Sequence, residues 1–175
     1  TMTRLVLTNA VHFRASWKYP FDEGNTDDGT FHLLDGSEMT TLFMEQTEEF
    51  GYAEGDGYQA VELPYLGGAA SMVIIAPERE TFKAFEEGLN RERTANIVDE
   101  MERTNVTLRL PPFEFSSDLP LSDVLKEMGM TDAFLPEEAD FSGIDGTTSL
   151  FIRDVLHKGF VAVDESGTEA AAATA

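Results

Sequence analysis

His12, His32 and His157 are the only imidazoles in the chain, and no Cys accompanies them. A zinc centre needs such ligands at short, fixed spacings such as HxH or HExxH, and these three stand far apart. No metal is therefore expected. Nucleophilic hydrolysis needs a Ser, Thr or Cys beside a base, and there is no GxSxG turn to present one. A Gly-rich phosphate loop is also missing, since Gly67-Gly68 and Gly143-Ile144-Asp145-Gly146 read as turn sequences. The acidic stretch at residues 22–28 lacks the one-three-five ligand spacing of a calcium loop. Carboxylate pairs are so frequent that a pair carries no information. No cofactor is expected, and the chain is not expected to be an enzyme.

That frequency is itself a property of the molecule. The 175 residues carry 12 Lys+Arg against 33 Asp+Glu, a net charge of −21. A surface so negative repels phosphate backbones and anionic lipid, so neither nucleic acid nor membrane is an expected partner. The acids are scattered (Asp22-Glu23, Asp27-Asp28, Glu48-Glu49, Glu86-Glu87, Glu137-Glu138) rather than gathered in a stripe. Scattered acid reads as a whole-surface, halophilic adaptation rather than a docking face. No apolar run approaches the ~20 residues of a membrane span. With 42% hydrophobic residues, 13 Phe and 7 Met, the chain has the material for a globular core. Having no Cys leaves the redox compartment open.

The alternation of apolar residues predicts mainly strands. Residues 4–13 form the first, with Leu5, Leu7, Val11 and Phe13 on one face. Residues 30–34 and 39–43 flank a turn at Asp35-Gly36 and predict a hairpin. Residues 59–63 alternate strictly, and the apolar run at 71–76 suits a strand covered on both faces. Phe82, Phe85 and Leu89 mark one helix; Asn90 caps a second, with Ile97, Val98 and Met101 on its buried face. Val106, Leu108 and Leu110 alternate up to Pro111-Pro112, and Leu121, Val124, Leu125 and Met128 mark a third short helix stopped by Gly129. Residues 149–164 predict a strand of sixteen, with Phe151, Val155, Val161 and Val163 on one face and Ile152, Leu156, Phe160 and Ala162 on the other. A strand that long and apolar on both faces belongs in the middle of a large sheet. The order gives an α+β fold with mixed or antiparallel sheets. Both chain ends are abrupt, so a segment of something longer is expected.

Two polar residues interrupt apolar faces: Asn9 in the first strand and His157 in the long one. Buried polar groups need partners, so each is expected to be satisfied by neighbours, or the two by one another across a sheet.

These blocks together resemble the central and C-terminal part of a serpin. The resemblance is carried by Leu5-Val6-Leu7-Thr8-Asn9-Ala10-Val11-His12-Phe13 with Trp17 and Phe21, by Glu62-Leu63-Pro64-Tyr65 and by Ser71-Met72. It continues through Leu125-Lys126-Glu127-Met128-Gly129-Met130-Thr131-Asp132-Ala133-Phe134, Ala139-Asp140-Phe141-Ser142-Gly143-Ile144 and His157-Lys158-Gly159-Phe160. It covers the whole chain in order, as one partial domain over residues 1–175 that lacks the family's upstream helical half and its C-terminal strands. Residues 164–175 are similar to the hinge of the family's reactive loop.

The resemblance implies a suicide-substrate inhibitor of serine proteases, and in some members of cysteine proteases. In that family the cleaved loop inserts between the third and fifth strands of the large sheet while the protease is still attached as a covalent acyl complex. It implies that Glu165, Gly167, Thr168, Glu169, Ala170, Ala171, Ala172, Ala173, Thr174 and Ala175 form the inserting hinge. Trp17 would sit where opening begins, and Asn9 and His157 would hold the two parting strands near their middle. The composition of the hinge suits insertion. Gly167 lets the chain bend, Thr168 is small and β-favouring, and the alanines carry almost no side-chain entropy. The alternative implied is a non-inhibitory member serving as a binding or chaperone-like module, whose hinge often carries bulkier residues. A monomer and an extracellular setting also follow from the resemblance alone.

Overall fold

A computed structural model describes residues 5–10 and 13–170 of the chain. Its elements begin with β1 (Leu5–Ala10), β2 (Phe13–Ser16), β3 (Thr26–His32), β4 (Glu38–Gly55), β5 (Tyr58–Pro64) and β6 (Ser71–Pro77). There follow α1 (Phe82–Glu87), α2 (Arg91–Asp99), β7 (Glu102–Leu110), β8 (Phe113–Pro120), α3 (Ser122–Glu127), α4 (Ser142–Asp145), β9 (Ile152–Val163) and β10 (Gly167–Ala170). Mixed sheets with a few short helices make this an α+β fold. The chain divides into two compact units, one built from residues 1–13, 114–162 and 169–175, the other from 14–113 and 163–168.

In the first unit β1 runs parallel to β9, and β8 also pairs with β9. Ile152, Val155 and Phe134 form the buried core, with Leu5, Leu121, Leu125, Ala133 and Phe141 packed against them. The start of α3 is tied to β9 twice. The Leu121 N–H donates to the Val155 carbonyl at 2.9 Å, and the Val155 N–H donates to the Ser122 hydroxyl at 2.9 Å. The long strand is shorter than its alternation predicts, beginning at Ile152 and running for 12 residues. Its faces also differ from the expected assignment. Leu5 pairs with Ile152 but Val6 pairs with Asp154, so Arg153 is an extra residue on β9. This bulge flips the parity, and Ile152 and Val155, expected on opposite faces, fill the same core.

In the second unit the strand order is β3-β4-β5-β6, with β7 beside β4. β4 has 18 residues, and pairs with β3 at residues 38–44, with β7 at 44–52 and with β5 at 51–55. Met44 and Phe50 are fully buried on it, as is Leu63 on β5. A second cluster joins Tyr58, Ala60, Phe85 and Ile97, with Ile75 and Met101 packed against it. The expected hairpin is present, extended back to Thr26. Its turn is held by the Asp35 carboxylate, which accepts from the Ser37 N–H and hydroxyl, with Gly36 at φ 85°. Asn90 caps α2 as expected, its side-chain oxygen accepting from the Arg93 N–H at 3.0 Å.

Three further expectations need correction. The run at 71–76 is not covered on both faces: β6 ends the strand order, and its residues 72–75 are only half-buried. Gly143-Ile144-Asp145-Gly146 is not simply a turn. Residues 142–145 close one helical turn, ended by Gly146 in the left-handed region at φ 77°. The strand expected at 4–13 is described as β1 and β2, with Val11 and His12 outside the described residues.

Candidate functional site

The first unit brings two of the singled-out residues together. Asn9 on β1 is the register partner of His157 on β9. In a parallel pair, register partners project from the same side of the sheet. Asn9 is exposed and His157 half-buried, whereas the sequence suggests a buried pair; no hydrogen bond joins their side chains among the described residues. Val6 (51%) and Leu156 (50%) are exposed on the opposite face of the same strand pair.

The second unit contains Trp17 and residues 163–168, where the segment expected as a hinge begins. Asp164 starts a tight turn: its carboxylate accepts from the Ser166 N–H at 2.8 Å and the Gly167 N–H at 3.0 Å. Its own N–H donates to the Gly167 carbonyl at 3.1 Å, so the chain reverses at once into β10. β10 neighbours β2. Trp17 clamps the turn, its backbone N–H donating to the Ser166 carbonyl and its indole N–H to the Asp164 carbonyl, each at 2.9 Å. The Phe21 N–H donates to the Glu165 carbonyl at 2.9 Å, and the Glu165 carboxylate accepts from the Thr26 hydroxyl at 2.8 Å.

Trp17 is buried and stacks on Tyr65, with ring centroids 4.7 Å apart and planes 7° from parallel. Backbone bonds fix both rings: Lys18 N–H to the Pro64 carbonyl, and Leu66 N–H to the Ser16 carbonyl. The Tyr65 hydroxyl donates to the Thr168 hydroxyl at 2.8 Å, and both residues are buried. Burial pushes the Tyr65 phenol above its ordinary range, against a smaller pull from the Thr168 hydroxyl, so it stays protonated and a donor at neutral pH. An open cleft of about 440 Å³ flanks the turn, bordered by Trp17, Lys18, Phe21, Glu165 and Ser166.

Of the residues expected as the hinge, Glu165, Thr168 and Glu169 are placed with their side chains, Gly167 is buried, and Ala170 closes β10. Ala171, Ala172, Ala173, Thr174 and Ala175 lie outside the described residues. Glu169 is exposed where Thr168 is buried, the alternation of a strand with one face inward. Tyr65 and Thr26 were missed as partners of the hinge because 103 and 139 residues separate them from Thr168 and Glu165. The Asp164 turn was missed too, since the alternation predicts a strand running through residue 164; Asp three residues before Gly167 is the signal that could have found it. Among the described residues no three His, Asp or Glu side chains converge to hold a metal ion. The geometry offers a docked strand start.

Comparison with known proteins agrees with this architecture. The profile of the family described as serpin (serine protease inhibitor) matches residues 1–175. An uncharacterised serpin-like protein of Thermococcus kodakarensis is 46% identical over 174 residues, covering 99% of this chain and 40% of the relative. Plasminogen activator inhibitor 1 of Bos taurus is 40% identical over 181 residues, covering 99% of this chain and 45% of the relative. The solved structure of emu ovalbumin superposes with a TM-score of 0.83 at 26% identity, covering 93% of this chain and 43% of that one. The chain thus spans less than half the length of these relatives. With the profile matched from end to end, the chain belongs to the serpin family.

Proposed function

We propose that the protein is a suicide-substrate inhibitor of serine proteases, acting through insertion of its cleaved reactive loop. The protease serine oxygen adds to the carbonyl carbon of one loop peptide bond. The C–N bond breaks, the amine takes up a proton and departs as a new N-terminus, and the loop's N-terminal part remains on the enzyme as an ester. Water would hydrolyse that ester; insertion of the loop as a strand competes with it. In this reading residues 4–13 and 149–164 are the strands that part, with Asn9 and His157 steadying the pair near its middle. The hinge enters from the turn at Asp164.

The observation that carries the reading is Thr168. It is 5% exposed, one residue into β10, and bonded to Tyr65. A segment that must enter a sheet needs its first inward side chain small and satisfied, and the residues after it small as well. Thr168 meets the first condition and Ala170 to Ala173 the second. Plasminogen activator inhibitor 1 and leukocyte elastase inhibitor A, both similar along nearly the whole chain, carry inhibitor names. The test is to incubate the full-length protein with a panel of serine proteases and run denaturing gels. A band that survives SDS, at the summed mass of protease and inhibitor less the released C-terminal fragment, is expected. Cleavage with no such band, across the panel, leaves the non-inhibitory binding reading instead.

A further inference from the structure

We propose that the Tyr65 hydroxyl is the positioning group that receives Thr168 and fixes the register in which the hinge enters its strand. This rests on the inhibitory reading above and concerns which residue decides the fate of the acyl-enzyme. Tyr65 is 4% exposed, and its ring lies flat against Trp17. Trp17 is itself tied through its indole N–H to the Asp164 carbonyl and through its backbone to the Ser166 carbonyl. The phenol oxygen is therefore held at one point relative to the turn that launches the hinge. Thr168 brings its Oγ1 to 2.8 Å from that point.

Register is what this bond can select. Slipping a strand by one residue turns every inward side chain outward. A one-residue slip here would bring Gly167 or Glu169 to Tyr65. Gly167 has no side chain to accept the phenol proton, and Glu169 would carry a charge into a buried site. In the register present, both hydroxyls are satisfied, and a buried hydroxyl left without a partner is costly. Smallness and β-propensity alone would be met equally well by Val at position 168, so the hydroxyl is the feature that Tyr65 reads. Because this bond involves the hinge and not the bond that is cut, it changes how acyl-enzyme divides between insertion and hydrolysis. It does not change how fast the protease attacks.

The experiment uses the full-length protein carrying Tyr65→Phe, which keeps the ring and its stack on Trp17 and removes the hydroxyl alone. The excess over one in the number of inhibitor molecules consumed per protease trapped should rise on the order of five- to tenfold, the effect of one buried hydrogen bond on a competing rate. The rate constant for protease attack should stay within about twofold, since nothing at the cleaved bond changes. Thr168→Val should reproduce the rise, the double variant should be no worse than either single, and Thr168→Ser should trap normally. A fall in melting temperature with an unmoved consumption ratio would assign Tyr65 a packing role only and overturn the proposal. If the parent traps no protease, the inhibitory reading fails, and denaturant unfolding of the same variants decides the Tyr65 assignment. Losses smaller in the double variant than the sum of the singles uphold it, and additive losses overturn it.

Discussion

A β-carbon built on Gly167 would collide with the Ala15 carbonyl and lie 2.8 Å from the Ser16 Cα, both of them backbone. Gly167 does not have a left-handed φ, so what demands glycine here is space. The first residue of β10 lies so close to β2 that only a hydrogen fits. Composition alone showed that the hinge is small; it did not show which neighbour demands it. The same holds for Thr168, whose inward direction follows from alternation but whose partner Tyr65 is 103 residues distant. We expect Gly167→Ala to lower the unfolding free energy of the full-length protein by about 1–3 kcal/mol, the usual cost of overpacking a closed site. Gly159→Ala, where an added β-carbon meets nothing within 4 Å, should change it by no more than about 0.5 kcal/mol. Denaturant midpoints measure both, and equal effects at the two glycines would contradict the close approach at Gly167.

β5, β7 and the Asn90 cap of α2 were legible because each is set by local periodicity or a single local bond. What escaped depends on neighbours. β8 follows Pro111-Pro112, a signal that stops one strand without announcing the next. The full reach of β4 is supported by three different partners, none adjacent to all of its residues. The Arg153 bulge exists only in the pairing of β9 with β1, so no reading of β9 alone could find it. Beyond that bulge the register pairs Asn9 with His157, the pairing on which their proposed steadying role depends. Cross-strand pairs contribute roughly 0.2–1 kcal/mol. In a double-mutant cycle on the full-length protein, Asn9→Ala and His157→Ala should therefore be coupled by about 0.5–1 kcal/mol. Additivity to within about 0.3 kcal/mol would show that register neighbours here do not interact.

At the scale of the molecule, 12 basic side chains cannot neutralise 33 acidic ones, and the ion pairs among the described residues are on partly exposed side chains. Such pairs contribute little, while self-repulsion at −21 opposes the compact state and is screened by salt. The melting temperature should therefore rise between dilute buffer and molar KCl, and an unchanged value would remove the halophilic reading. The central claim is that the hinge inserts and that insertion outruns hydrolysis of the acyl-enzyme. Thr168→Arg tests it most directly, because a guanidinium at this 5%-exposed position must be carried unpaired into the strand interior, at a cost of several kcal/mol. On a denaturing gel with a protease that the parent traps, the variant should be cut at the same rate and released as cleaved product, with the SDS-resistant complex nearly absent. If Thr168→Arg traps protease as efficiently as the parent, the hinge does not insert and the inhibitory mechanism is contradicted.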